Sequence, residues 1–387
     1  MGPAEDDGAA TRAAVRRLSL GAAAGEEKRE AAEVVARLAR ADARRKRLLA
    51  ELGVVPPLVS MVGDRRGGAG GRLAAAGALL ELARGTHRNK VQIVKAGLLK
   101  KLPQLMDDKD VSRSEQLALL LLSISSLANT DFPLAASDLL PFLVATLSAD
   151  DAPAGTKLPC LAALRNLSTK LEHARDVVSS GAVHALLSLS PSLDTKTSEA
   201  ALSILGHLAA AAGAAAARKA MEEDEAAPRA LLEAMTRHES ARCQEHATYL
   251  AMVLAHGSPA LRRRMRELGV VQALLEVSLL GSQLAQRRAA KILQWFKDEG
   301  QSRIRAHSGP RMKSAPCHGN DDAGGGGGGG SGSGGREAED CRDAVDKIVK
   351  QSLHRNMKSI LRRATASVDL TNVKLLVSSS SSKSLPC

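Results

Sequence analysis

A phrase of one small residue, two apolar residues and a Leu-rich turn returns along this chain every forty-odd residues. It reads Gly53-Val-Val-Pro-Pro-Leu, Gly97-Leu-Leu-Lys-Lys-Leu, Gly181-Ala-Val-His-Ala-Leu-Leu and Gly269-Val-Val-Gln-Ala-Leu-Leu, with weaker copies beginning at Asp138 and Ala226. Successive copies start 44, 41, 43, 45 and 43 residues apart. A unit of that length holds two or three helices and cannot bury its apolar face alone, so it must stack on its neighbours. That is the pattern of a helical solenoid. A solenoid works through an extended surface, which turns the search from catalytic clusters to grooves.

Residue choice within the units fits helices and nothing else. Aromatics make up 1% of the 387 residues, namely Trp295, Tyr249, Phe132, Phe142 and Phe296. Sandwiches and barrels depend on β-branched and aromatic residues, whereas Ala and Leu, which dominate here, favour helix. The fold class is therefore all-α, with one core running through most of the chain.

Each internal unit has the same grammar. A short helix ends at the Gly, as in Asn89-Lys-Val-Gln-Ile-Val-Lys-Ala-Gly97 and His173-Ala-Arg-Asp-Val-Val-Ser-Ser-Gly181. Glycine suits the left-handed residue that closes a helix and lets the chain change direction. A second helix carries the Leu-rich phrase, a polar loop follows, and a third, longer helix completes the unit, as over Leu158 to Leu167 and Thr197 to Leu208.

Three features, the Gly-apolar-apolar phrase, the Asn89-to-Gly97 stretch and the third-helix ending Ala162-Ala-Leu-Arg-Asn166-Leu-Ser, resemble armadillo repeats. The resemblance implies a right-handed solenoid of about six repeats over residues 26–298, with a polar, partial repeat capping its N-terminal end. The stretch Val349-Lys-Gln-Ser-Leu-His-Arg-Asn-Met-Lys, followed by Ser382-Lys-Ser-Leu-Pro-Cys, is similar to the C-terminus of plant armadillo proteins related to the U-box ubiquitin ligases. The Cys-Pro-Ile and Gly-x-Thr-Tyr stretches of a U-box have no counterpart in the sequence, and ligase activity is accordingly not carried over.

In armadillo solenoids the third helices line a concave groove, and a residue near the end of each points into it. In the register of Asn166 the resemblance places Glu81, Ser126, Asn166, His207, Val253 and Trp295 there. Importin-type relatives hold Asn at most of these positions, where the amide clamps a peptide backbone through both donor and acceptor. Here only Asn166 keeps it, so backbone clamping is not expected. One turn earlier stand Gly77, Leu122, Ala162, Ser203, Tyr249 and Lys291. Tyr249 and Trp295, flanked by His246, Arg288 and Lys291, are expected to form one aromatic patch that anchors a partner. The plainer alternative has Trp295 and Phe296 plugging the last repeat.

The net charge is +12 and the isoelectric point about 9.7, unevenly distributed. One basic cluster, Arg44-Arg45-Lys46-Arg47, is either a nuclear localisation signal or a solvated face of the cap. Another, Lys347 to Arg363, holds six Lys or Arg and no acid. Positive charge prompts a nucleic-acid reading, but stacking platforms need aromatics, which are nearly absent. Protein partners are thus expected, with nucleic acid and membranes disfavoured.

Outside the repeats the sequence changes character. Residues 1–25 are Ala- and Gly-rich and expected to be loose. Residues 299–335, with seven consecutive glycines from Gly324, are expected to form a flexible linker. Residues 336–366 have Val345, Ile348, Val349, Leu353, Met357, Ile360 and Leu361 at helical spacing opposite Lys and Arg. That basic amphipathic helix has three readings: docking on the solenoid, an anionic membrane surface, or a partner helix. A disordered Ser-rich tail is expected over residues 367–387. Arg16-Arg17-Leu-Ser19 and Arg362-Arg363-Ala-Thr365 fit basophilic kinase sites at Ser19 and Thr365.

Enzyme chemistry finds no support. Cys243 with His246 and Cys317 with His318 lack further ligands at zinc spacing, so neither metal nor cofactor is expected. The five scattered cysteines point to a reducing compartment. No apolar run approaches the ~18–20 residues that cross a bilayer, and Glu5, Asp6 and Asp7 argue against a signal peptide. The expected location is cytoplasm, nucleus or both.

Overall fold

The computed structural model describes residues 3–19, 25–211 and 214–307, which form helices joined by short loops, with no strand among the described residues. Two helices open the stack, α1 (Pro3–Ser19) and α2 (Gly25–Ala41), followed by six units in the expected register. The first holds α3 (Ala43–Glu51), α4 (Val55–Gly63) and α5 (Gly68–Ala83). The second holds α6 (His87–Lys95), α7 (Leu98–Leu105), the single turn α8 (Lys109–Ser112) and α9 (Glu115–Ser125). The third has α10 (Ala136–Ser148) and α11 (Ala154–Ser168), and the fourth α12 (Leu171–Ser179), α13 (Ala182–Leu189) and α14 (Thr195–Ala210). Helices α15 (Ala215–Glu223), α16 (Ala227–Met235) and α17 (Ala241–Gly257) make the fifth, and α18 (Pro259–Glu267), α19 (Val270–Leu280) and α20 (Gln283–His307) the sixth.

The repeated glycine does what its chemistry permits. Gly53, Gly97, Gly181 and Gly269 have φ of 80°, 90°, 81° and 80°, the left-handed conformation that reverses the chain between first and second helices. The copy at Ala226 reaches the same turn differently: the Asp224 carboxylate accepts the Ala226 N–H at 2.8 Å, and Pro228 starts α16. In the third unit the first helix is missing. A 3-10 turn, Ser126–Asn129, follows α9 directly, and Pro133, which has no N–H to donate, lies in the short extended run to α10. Four third helices begin on a side-chain cap, where Ser114, Asp194, Ser240 and Ser282 accept the N–H three residues on.

Stacking follows helix type. Third helices pack in series, α2 on α5, α5 on α9, α9 on α11, α11 on α14 and α14 on α17, and so do second helices from α4 to α19. One buried apolar cluster therefore runs from Ala14 to Phe296. Polar side chains cross the same joints. Buried Arg72 donates to the Val62 carbonyl at 3.1 Å and to Asp108 of the next unit at 2.6 Å. Asn89, also buried, donates to the Leu82 carbonyl at 2.9 Å and the Lys46 carbonyl at 3.4 Å.

Two expected boundaries change. Residues 1–25 were expected to be loose, yet 3–19 form α1, which packs on α2 and buries Ala14 and Leu18. Alanines give that segment helix propensity, and the neighbouring cap supplies an apolar face to bury against. The linker was expected from residue 299, yet α20 continues to His307. The helix expected over 336–366, the Ser-rich tail and Thr365 lie outside the described residues.

Candidate functional site

The third helices place the expected ladder on successive units, but its members do not share one environment. At the N-terminal end Glu81 is turned inward. It is 4% exposed, and its carboxylate accepts from Arg40 at 3.2 Å and Arg84 at 3.0 Å. Two cations held at the same joint draw the acid in, so Glu81 is a clasp between α2 and α5 and not a groove residue. Ser126 falls in the 3-10 turn, where its hydroxyl accepts from Lys90 at 2.8 Å and donates to the Ser123 carbonyl. Burial lowers the Lys90 pKa from its ordinary value. Asn166 commits an amide hydrogen to Ser125 of the preceding unit at 3.0 Å. His207 stands exposed on α14.

The C-terminal half differs. Tyr249 of α17 is half-buried, packed beside Gly206 of α14, where an added methyl would lie 3.6 Å from the ring. The Arg288 guanidinium of α20 sits over that ring at 5.0 Å from its centre, in cation–π range. Arg288 is aimed by its bond to the Glu245 carbonyl at 2.8 Å, and Glu245 also accepts the Ser282 hydroxyl. His246 borders the same position, half-buried, and burial lowers its pKa below the ordinary histidine value against opposing pulls from Glu199 and Glu245. Glu199 is held by Arg242 at 2.9 Å.

Trp295 has a separate set of neighbours. His256 meets it edge-on at 5.3 Å, and the Lys291 ammonium lies 5.8 Å from its ring centre. The single aromatic patch expected from sequence is therefore two anchors on adjacent helices, each a half-buried ring under a cation. Phe296 does pack inward, with Arg266 over its ring at 4.7 Å and bonded to its carbonyl at 2.7 Å. The plug reading thus holds for Phe296, while Trp295 keeps a partly open face. His256, Gly206 and Glu245 were not read from the sequence. Helical spacing from Trp295 along α20 does not reveal them, since they lie on α14 and α17 and their roles arise from contacts across units.

The remaining candidates separate similarly. Cys243 and His246 share a helix but face different ways. Cys243 is buried with its sulfur 3.6 Å from the Ser198 hydroxyl, while His246 is half-buried beside Gly206. Cys160 is also buried, which pushes its thiol up to about 12. In the basic run on α3, Arg44 and Arg47 are exposed, whereas Lys46 donates to the Arg84 carbonyl at 2.8 Å and burial lowers its pKa. Arg45 is half-buried. Ser19 is exposed at the end of α1.

Residues 12–308 match the family described as the plant U-box protein ARM repeat region. The chain belongs to that family. A curated relative, U-box domain-containing protein 45 of Arabidopsis thaliana, is 25% identical over 255 residues, which cover 65% of this chain and 32% of the relative. The chain thus spans about a third of that relative's length. Among solved structures, an engineered protein superposes with a TM-score of 0.55 at 23% identity, covering 73% of this chain and 67% of its own. A designed armadillo repeat protein in complex with the peptide (KR)4 superposes at 0.50 with 21% identity, covering 62% of this chain and 98% of its own. The family match and these likenesses give this ARM repeat region the fold of an armadillo solenoid.

Proposed function

We propose that this chain is a non-catalytic interaction scaffold that holds a partner segment along its third helices, anchored at the C-terminal units. The observation that carries the reading is the pair of half-buried rings, Tyr249 and Trp295, each set beside a Lys or Arg on consecutive inner helices. Aromatic and Arg side chains fixed in this way carry most of the energy in protein interfaces, because they bury much area at little entropic cost. Cations above the rings favour a segment bearing carboxylates. The designed neighbour is in complex with the peptide (KR)4; here Arg288, Lys291 and the net charge of +12 oppose such a ligand.

The family relation supports a place in plant signalling or ubiquitin-pathway assemblies, in the cytoplasm or nucleus, with the chain acting as adaptor. Nucleic acid is the weaker reading, since Tyr249, Trp295 and Phe296 are the only aromatics that the third helices carry.

The test uses labelled (DE)4 and (KR)4 peptides with the full chain, read by anisotropy and by Trp295 fluorescence. The expected result is binding of (DE)4, weakened about tenfold or more by Tyr249→Ala with Arg288→Ala. Tighter binding of (KR)4, or (DE)4 binding that ignores both substitutions, overturns the anchor. Ubiquitin-chain synthesis by the purified chain with activating and conjugating enzymes overturns the adaptor reading.

A further inference from the structure

Among the described residues, an arginine stands three positions before a serine at Ser19, Ser168 and Ser240. Two of these hydroxyls are in structural use. Ser168 is 1% exposed and donates to the Arg165 carbonyl at 2.8 Å, while Ser240 accepts the Cys243 N–H in the first turn of α17. Ser19 differs on each count. It is exposed in the last turn of α1, and its hydroxyl has no partner among the described residues. Of the three it alone has a second arginine, Arg17, two positions before it.

The surroundings of Ser19 join an open basic face to a buried anchor. Arg16 is exposed with no partner among the described residues, so its guanidinium can meet carboxylates of another protein. Arg17, also exposed, reaches Glu30 of α2 at 3.7 Å, an ion pair across the joint between the two helices. Leu18, between the arginines and the serine, is 4% exposed and belongs to the apolar cluster. The residue beside the free hydroxyl therefore helps to hold α1 on the solenoid.

We propose that Ser19 is the phosphorylation site of a serine/threonine kinase that selects basic residues, and that its phosphate loosens α1 from α2. The Ser19 Oγ attacks the γ-phosphorus of Mg-ATP, and the new O–P bond forms as the bond to the ADP oxygen breaks. The hydroxyl proton passes to a carboxylate of the kinase. A kinase cleft must enclose the serine and its neighbours, and Leu18 is buried, so the last turn lifts first and transfer selects the lifted state. The product carries nearly two negative charges. They sit near the carbonyl end of α1, which already bears partial negative charge, and they compete with Glu30 for Arg17. Pairing of the phosphate with Arg16, one turn back, acts within α1 and does nothing to hold it on α2.

The experiment treats the full chain with Mg-ATP and the catalytic subunit of cyclic-AMP-dependent kinase, a probe that prefers Arg at both positions, and maps phosphate by mass spectrometry. Phosphate is expected on Ser19, and Arg16→Ala should slow its transfer about tenfold. Leu18→Ala frees the last turn and should speed transfer about tenfold relative to the same change in a peptide of residues 12–22, which has no docking to lose. In the phosphorylated chain the amides of residues 8–19 should exchange hydrogen about threefold faster than before, with those of α9 unchanged. Absence of phosphate from Ser19 in the folded chain while the peptide is labelled overturns the site. Transfer that Leu18→Ala leaves unchanged or slows overturns the lifting step. Exchange in α1 that stays the same or slows after phosphorylation overturns the loosening.

Discussion

Replacing glycine by alanine should have opposite effects at two positions of the fourth unit. Gly181 joins α12 to α13 at φ 81° and ψ 6°, and a methyl there meets nothing within 4 Å. The entire penalty is therefore conformational: an L-residue in the left-handed region costs about 1–2 kcal/mol, offset in part by the ~0.4–1 kcal/mol gained from a less flexible unfolded chain. Gly206 lies within α14 with ordinary helical geometry, and its added methyl would touch the Tyr249 ring at 3.6 Å, a normal contact. Alanine there should stabilise by about 0.5–1 kcal/mol, the helix-interior difference between the two residues. Urea unfolding followed by circular dichroism measures both variants against the parent, and in thermal unfolding each kcal/mol shifts the midpoint by about 2 °C in a unit of this size. Gly181→Ala should fall below the parent and Gly206→Ala above it. If both variants move in the same direction, the left-handed turn does not set the energetics of the repeat joint, and the account of the Gly phrase fails.

Other consequences concern buried chemistry. Arg72→Ala leaves the Val62 carbonyl and Asp108 without their donor at a joint between units, and should cost about 3 kcal/mol in the same urea assay; a loss below 1 kcal/mol would show the bridge to be incidental. His246 has a folded pKa below its unfolded value, mainly through burial, so the unfolded chain binds the extra proton. Its contribution is complete above about pH 6.5, the unfolded value, and is lost as pH falls through the lower folded pKa. His246→Gln should flatten that part of the stability profile, and an unchanged slope between pH 7 and 5 refutes it. The Cys160 thiol, held up to about 12 by burial, should resist iodoacetamide in the native protein at pH 8 and react once urea unfolds it. Mass spectrometry of native labelling would detect the contrary.

The period of the phrase and the Ala/Leu composition fixed the fold class, the number of units and the stacking order, because those depend on local helix preference and on which residues repeat in phase. The left-handed glycines were legible for the same reason: a turn that only glycine enters freely marks its own position. The loss of the first helix in the third unit followed from Pro133 and the short interval, both in the sequence but masked by the regular period. The site was legible only in part. Register placed Tyr249, Arg288, Lys291 and Trp295 on inner helices, but it also offered Glu81 to the groove. Packing decided otherwise, since Arg40 of α2 and Arg84 at the end of Glu81's own helix converge on that carboxylate from 41 residues and three residues away. Likewise, that Tyr249 and Trp295 are separate anchors depends on which side chains lie alongside each ring. A repeat specifies its own helices through neighbours in the chain; exposure and charge pairing are set by neighbours in space, which no single unit encodes.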